Sequence, residues 1–314
     1  MVARSLRLAL ALEAAILFIA CTYLARTRGW SADAVTALAT AAFLAVNSIP
    51  LVVIYPVALY CRMRAAAVPR IGTLRLWRGM AGEWLAFLAV FALIQPFERW
   101  WMGGDDVGCA RDRRSPVLLV HGYASNRGQW WWLRRRLRAN GFAMATINLE
   151  PVRGDIDNFA ERLHARIEAL CAETGTDRVA LIAHSMGGLV ARAYLRRHGC
   201  KRVSRLITLG SPHHGTVLAY LALGRDGCQM RLKSRWIRQL GDQETFAIPV
   251  TSFWGGIDEI VAPQDGSRLA GAREIVFATL GHFTMLFSPV VLQHLQAELE
   301  QPDYFNSAVP GASE

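Results

Sequence analysis

Lysine is nearly missing from this chain of 314 residues. Lys201 and Lys233 are the only two, so almost all of its 35 basic residues are arginine. Charge as a whole is scarce: 19% of residues are charged and 53% are hydrophobic. An average soluble domain carries about 25% charged residues. That shortage excludes a disordered chain, which needs low hydrophobicity and high charge. It also argues against a wholly soluble protein. Six cysteines are too few in a chain this long to form a disulfide scaffold. No Cys-x-x-Cys occurs, and His213-His214 lacks the helical spacing of a zinc pair, so no metal is implied. No glycine-rich dinucleotide or phosphate loop is present, and no cofactor is implied. The net charge of +10 is spread along the chain without a recognised module, so no nucleic-acid partner is expected.

The apolar residues concentrate at one end. Three long apolar runs cover Leu6–Ala25, Ala34–Tyr60 and Met80–Phe97. A helix needs about 20 mostly apolar residues to cross a bilayer. The second run has no charge, and its Pro50 and Pro56 are tolerated in membrane helices. The third carries Glu83 near its start, with Trp84, Trp100 and Trp101 as expected interfacial anchors. The first, behind Arg4 and Arg7, also has the outline of a signal peptide. Two further runs follow it, which favours an uncleaved first span. A soluble helix would show a polar stripe, and Ala34–Tyr60 has none.

Residues 1–101 hold ten Arg against four Asp or Glu, about +6 of the +10. Arg4, Arg7, Arg62, Arg64, Arg70, Arg75 and Arg78 place the N-terminus and the second loop in the cytoplasm. Three spans then carry the rest of the chain to the far side, which is the periplasm of a bacterial inner membrane. The organisation expected is a transmembrane region at 1–101, a polar linker at 102–114, a catalytic domain at 115–301 and a tail at 302–314.

Beyond Trp101 the pattern alternates. Strands are predicted at 116–120, 142–149, 179–183, 203–209, 249–254 and 274–280. Helices are predicted at 130–139, 159–171, 187–198 and 289–299. This order indicates an α/β domain with a mostly parallel sheet covered by helices on both faces. It is preceded by an all-α transmembrane region of about three helices.

The sharpest local signal is Ala183-His184-Ser185-Met186-Gly187-Gly188, placed between a strand and a helix. A nucleophile elbow needs that context. Small residues two before and two after the serine let the backbone turn so that the hydroxyl stands clear of the sheet. The following helix N-terminus favours a developing anion. Such a serine needs a base, a residue to orient it and an oxyanion hole. His282 directly follows a late strand, and Asp258 lies on the loop past the strand 249–254. Glu259 is the main rival for the acid, and His213 and His214 are rivals for the base. The oxyanion hole would use the N–H groups of Met186 and Tyr123, with Gly122 allowing the turn. His121 reads as structural.

The second half resembles the bacterial lipase and esterase group of the α/β-hydrolase superfamily. The resemblance rests on Val120-His121-Gly122-Tyr123, the run Ala183–Arg192, Leu209 through Thr216, Gly256-Ile257-Asp258 and Gly281-His282. Ala183 replaces the usual first glycine of the elbow. The resemblance covers about 115–300 and implies an α/β-hydrolase fold and a serine acyl-enzyme acting on carboxylic esters. It does not reach residues 1–101.

Two stretches carry weaker readings. Gly215–Ala247, with Leu218 to Leu223, Met230, Trp236, Ile237 and Leu240, is either a cap over an acyl pocket or core helix. Trp130-Trp131-Trp132 with Arg134, Arg135, Arg136 and Arg138 is either a solvated helix packed on the sheet or a patch facing anionic headgroups. The expectation is a membrane-anchored esterase or lipase acting on an acyl ester or lipid. Acyl transfer by the same triad, or a non-catalytic membrane protein retaining the fold, are the alternatives.

Overall fold

The computed structural model describes residues 1–105, 107–108, 115–241 and 245–301. Cys109, the Arg111–Arg114 cluster, Asp242 and the expected tail 302–314 lie outside the described residues.

The first two apolar runs form α1 (Val2–Arg28) and α2 (Ala32–Arg64). They fold back on one another as a hairpin. Gly29 makes the turn in the left-handed region at φ 63, and Ser31 caps α2 by accepting the Ala34 N–H at 3.3 Å. Two half-buried polar residues of these apolar helices find each other: Asn47 Nδ2 donates to Glu13 at 3.0 Å. The third run lies in α3 (Thr73–Leu88), which continues through a π turn (Ala89–Ile94) and a 3-10 turn (Gln95–Phe97) into α4 (Glu98–Met102). Pro96 has no N–H to give to the helical ladder, and the change of winding falls around it. Val2–Arg28, Ala32–Arg64 and Thr73–Met102 are each long and apolar enough to cross a membrane.

The three helices are seated differently. None of the apolar window of α1 and 6% of that of α2 is buried, against 39% for Thr73–Met102. Both outer ends of the hairpin rest on the rest of the molecule. The Met1 ammonium pairs with Glu150, and Arg7 donates to the Pro96 carbonyl at 3.0 Å. At the other end Arg62 donates to the Gly256 carbonyl, and Gln264 donates to Ala58 O at 3.1 Å. Three full crossings would carry the domain after Trp101 away from the N-terminus. The structure instead gathers Met1, Arg62 and that domain at one end of the hairpin, because the third helix packs onto the domain rather than leading away from it. Trp84 also departs from its expected role as an interfacial anchor. Its indole N–H donates to Ser48 Oγ of α2 at 2.6 Å.

The second half runs β1 (Val117–Val120), α5 (Trp131–Ala139), β2 (Met144–Ile147), α6 (Ile156–Thr174), β3 (Val179–His184), α7 (Met186–His198) and β4 (Val203–Leu209). It continues with α8 (Arg225–Gln229), α9 (Arg235–Gly241), β5 (Val250–Gly255), β6 (Arg273–Phe277) and α10 (Pro289–Glu300). The strands form one sheet in the order β2-β1-β3-β4-β5-β6, and every neighbouring pair is parallel. Both faces are covered, so the strands read as continuous apolar runs. Leu118, Val120, Leu181 and Ala183 face α6 and α7. Val117, Leu119, Ala180 and Ile182 face α5, α10 and, from the third helix, Ala86 and Val90. The strand expected over 274–280 stops at Phe277, where its carbonyl is taken by the Gly256 N–H and the chain turns.

The two weaker readings resolve by segment. Ile237 and Leu240 of α9 are buried in the core, whereas Tyr220, Leu221 and Leu223 stand exposed as a lip. Trp130 is fully buried, and Arg134 donates to the Met102 and Gly104 carbonyls, fixing the end of the third helix. Arg134 is therefore a structural arginine and not a headgroup contact. The described part of the expected linker is also tied down: Asp105 accepts from the Thr146 hydroxyl at 2.7 Å and pairs with Arg166 at 3.0 Å.

Candidate active site

Ser185 stands between β3 and α7 at φ 56, ψ −127. A non-glycine residue there is strained, and such strain gathers at functional sites. The surroundings hold it: the Ser185 N–H donates to Leu209 O at 2.9 Å, and the Gly188 N–H donates to Ser185 O at 3.0 Å. The loop after β1 crosses directly above. A Cβ on Gly122 would lie 2.7 Å from Ser185 Cβ and 3.2 Å from its Oγ, so only glycine fits this approach. Met186 opens α7, where a first-turn N–H has no intrahelical partner.

His282 and Asp258 meet at the C-terminal edge of the sheet. His282 Nδ1 lies 2.9 Å from Asp258 Oδ2. The other oxygen, Oδ1, accepts the Ile260 and Val261 N–H groups at 2.9 and 2.7 Å. Those two donors stabilise a carboxylate, which in turn holds the proton on Nδ1 and leaves Nε2 as the basic nitrogen. Ser185, Asp258 and His282 are 7%, 1% and 2% exposed, so the site is shielded from water.

Glu259, the rival acid, points elsewhere. Its Oε2 accepts the His282 backbone N–H at 3.3 Å. Burial first, then the nearby Glu83 and Asp258 carboxyls, hold its pKa well above the usual range. His213 and His214 have other partners. His213 is buried between Thr208 Oγ1 at 3.0 Å and Arg192, and burial holds it well below the usual imidazole range. His214 lies on the turn after β4, where its N–H donates to Gly266 O at 3.0 Å.

His121 is neutral and structural. Burial lowers its pKa to about 4. Nδ1–H donates to Gly122 O and Nε2 accepts the Leu149 N–H, both at 2.9 Å, which shapes the loop leading to Tyr123. The Tyr123 hydroxyl bonds both backbone groups of Leu223, at 2.8 and 2.9 Å, and so ties the exposed lip to this loop.

Three residues at the site escaped the sequence reading. His184, beside the nucleophile, donates from Nε2 to the His282 carbonyl at 3.0 Å, with ring centroids 4.4 Å apart. Burial and the adjacent His282 keep it neutral, well below the usual imidazole range. Gln95 accepts the Asn126 N–H at 3.1 Å on its side chain and the Asn126 amide at 2.9 Å on its carbonyl. Glu83 is fully buried and accepts the backbone N–H groups of Phe283 and Thr284, the latter at 2.9 Å. A polar side chain inside an apolar run was the available signal for Glu83 and Gln95. Nothing in the pattern marked His184. Among the described residues no group of three or more His, Cys, Asp or Glu gathers as a metal site.

Known proteins resemble the second half of this chain in sequence and fold. Residues 152–289 match the model of the PGAP1-like alpha/beta domain. A triacylglycerol lipase of Pseudarthrobacter phenanthrenivorans is 32% identical over 114 residues, 34% of this chain and 35% of that protein. A triacylglycerol lipase of Burkholderia plantarii is 32% identical over 114 residues, 34% of this chain and 32% of that protein. The match thus spans about a third of the length of these relatives. The mature form of the Bacillus licheniformis lipase BlEst2 superposes with a TM-score of 0.55 at 20% identity, covering 62% of this chain and 96% of that one. The second half of the chain has the α/β-hydrolase fold, similar to lipases and esterases, and three long apolar helices precede it.

Proposed function

We propose that this protein is a membrane-bound serine hydrolase that cleaves carboxylic esters through an acyl-enzyme on Ser185. The observation that carries this reading is the Asp258–His282 bond of 2.9 Å at the sheet edge where the strained Ser185 opens α7. In the proposed cycle the His282 Nε2 takes the Ser185 hydroxyl proton as Oγ attacks the ester carbonyl. The Met186 and Tyr123 N–H groups receive the oxyanion. His282 then protonates the leaving alcohol, and afterwards takes a proton from the water that releases the acid. Asp258 stabilises the imidazolium that forms in both halves.

An acyl chain delivered from a bilayer suits the surroundings of the site. Leu51 and Ile54 of α2 pack on Leu218, at the base of the exposed Tyr220, Leu221 and Leu223. The lip therefore adjoins a membrane helix. Hydrolysis of a graded series of acyl esters in mixed lipid micelles tests this: longer chains should be cleaved. Cleavage of only short water-soluble esters would remove the lipid substrate.

The same packing bears on location. With α1 and α2 crossing as a hairpin, the arginine-rich outer ends and the catalytic domain share one side, and the positive-inside bias makes that side cytoplasmic. Reporter fusions to each terminus of the full chain should then report the same compartment; opposite compartments would restore a periplasmic domain. For the chemistry, Ser185→Ala should abolish hydrolysis of a short p-nitrophenyl ester by the folded protein. Unchanged turnover in that variant would overturn the assignment.

A further inference from the structure

The third apolar helix reaches the two loops that complete the site. Gln95 holds Asn126 on the loop after β1, and Glu83 holds Phe283 and Thr284 just beyond His282. These two residues are 12 positions apart, about 18 Å along a helix at 1.5 Å per residue. The contact of Glu83 with the histidine loop is close. A Cβ on Gly281 would lie 2.5 Å from Glu83 Oε2 and 2.7 Å from its Cδ. Both loop N–H groups point at one carboxyl, so that carboxyl acts as an acceptor through both oxygens.

Resting on the serine-hydrolase reading, we propose that Glu83 is a positioning residue for the catalytic histidine: its carboxylate grips the backbone after His282 and fixes the imidazole for proton transfer. Glu259 completes the grip from the other side. It accepts the His282 N–H through Oε2 at 3.3 Å. Three successive N–H groups, of His282, Phe283 and Thr284, end on this pair. A helix of the membrane region therefore sets the geometry of the hydrolase site, and its seating on the domain becomes a condition of turnover.

The test counts active sites in the full chain in detergent, by titration with a fluorophosphonate probe, and then measures turnover per titrated site. Glu83→Gln turns an amide N–H toward a backbone N–H. It should lower kcat per site by about tenfold or more with KM within about twofold, since a displaced catalytic group of this kind can cost up to about a hundredfold. Glu259→Gln keeps an acceptor for the His282 N–H, and should lose several-fold less than Glu83→Gln. Gly281→Ala pushes the carboxyl aside without removing it, and should resemble Glu83→Gln. It decides the matter if Glu83→Gln yields no titratable sites. A merely structural role would lower the number of sites and leave kcat per site intact. That result, or wild-type kcat per site in both Glu83→Gln and Gly281→Ala, would overturn the proposal. Ester cleavage by Ser185→Ala at the wild-type rate would instead overturn the underlying activity.

Discussion

The two-helix hairpin and the third helix look alike as sequence and differ in the folded molecule. Each is a long apolar run, yet α1 and α2 bury almost none of their apolar windows while the third helix buries two-fifths of its own. Their few polar residues also behave differently. Glu13 and Asn47 satisfy one another within the hairpin. Glu83 and Gln95 spend their hydrogen bonds on the loops after Gly281 and after β1. The lesson is that an apolar run with isolated polar residues can serve as an anchor or as a brace, and only the partner of each polar group tells which.

The sharpest way to break this contrast is Gln95→Ala. It leaves the buried Asn126 N–H unpaired and frees the loop that carries Tyr123. Turnover of a short ester should fall about 10- to 100-fold, in line with loss of an ordered oxyanion donor. Substitution of the hairpin residue Phe18 should leave turnover in detergent within about twofold, as a change remote from the constellation. Equal losses at the two sites would erase the distinction.

Stability should divide the same way. Val90 is fully buried against the sheet, and Phe18 is 72% exposed. Val90→Ala should cost about 1–3 kcal/mol, the range for removing buried methyl groups. Phe18→Ala in the same micelles should stay within about 0.5 kcal/mol. Denaturant midpoints measured at fixed detergent check both.

The α/β domain, not the hairpin, should set the response to acid. His121, His184, His213 and His214 are all held below the ordinary imidazole range by burial, His121 at about 4. A histidine with a depressed folded pKa contributes stability that is fully present above about 6.5, its unfolded value, and lost as pH falls toward its folded one. Glu259 and Asp226, raised by burial and the latter to about 6, act in the opposite sense. The histidines outnumber them, so Tm should fall between about pH 6.5 and 4. A flat or rising Tm over that interval would count against the buried neutral histidines. A modest effect belongs to the hairpin turn. Gly29 has φ +63 and open space around it, so Gly29→Ala should cost about 1 kcal/mol of left-handed strain and leave hydrolysis unchanged.

Much of this was legible from residue patterns. The alternation after residue 115 located all six strands, because buried parallel strands are short continuous apolar runs bounded by turns. The elbow around Ser185 and the bond between Asp258 and His282 involve residues that chain order and strand ends had already singled out. The seat of the third helix was not legible. Its apolar face satisfies a bilayer and a protein core equally well, and hydropathy does not separate the two. The bonds of Glu83 and His184 to the histidine loop were hidden for a different reason. They join residues about 200 and 98 positions apart to backbone groups, which leave no mark on sequence.

The central claim is that Ser185 is the nucleophile and His282 its base. Peptide mapping of the full chain after reaction with a fluorophosphonate probe tests it most directly. The account predicts a single adduct, on Ser185, formed by the wild-type protein and at least about a thousandfold more slowly by His282→Ala. An unmodified Ser185 in a preparation that still cleaves esters would contradict it.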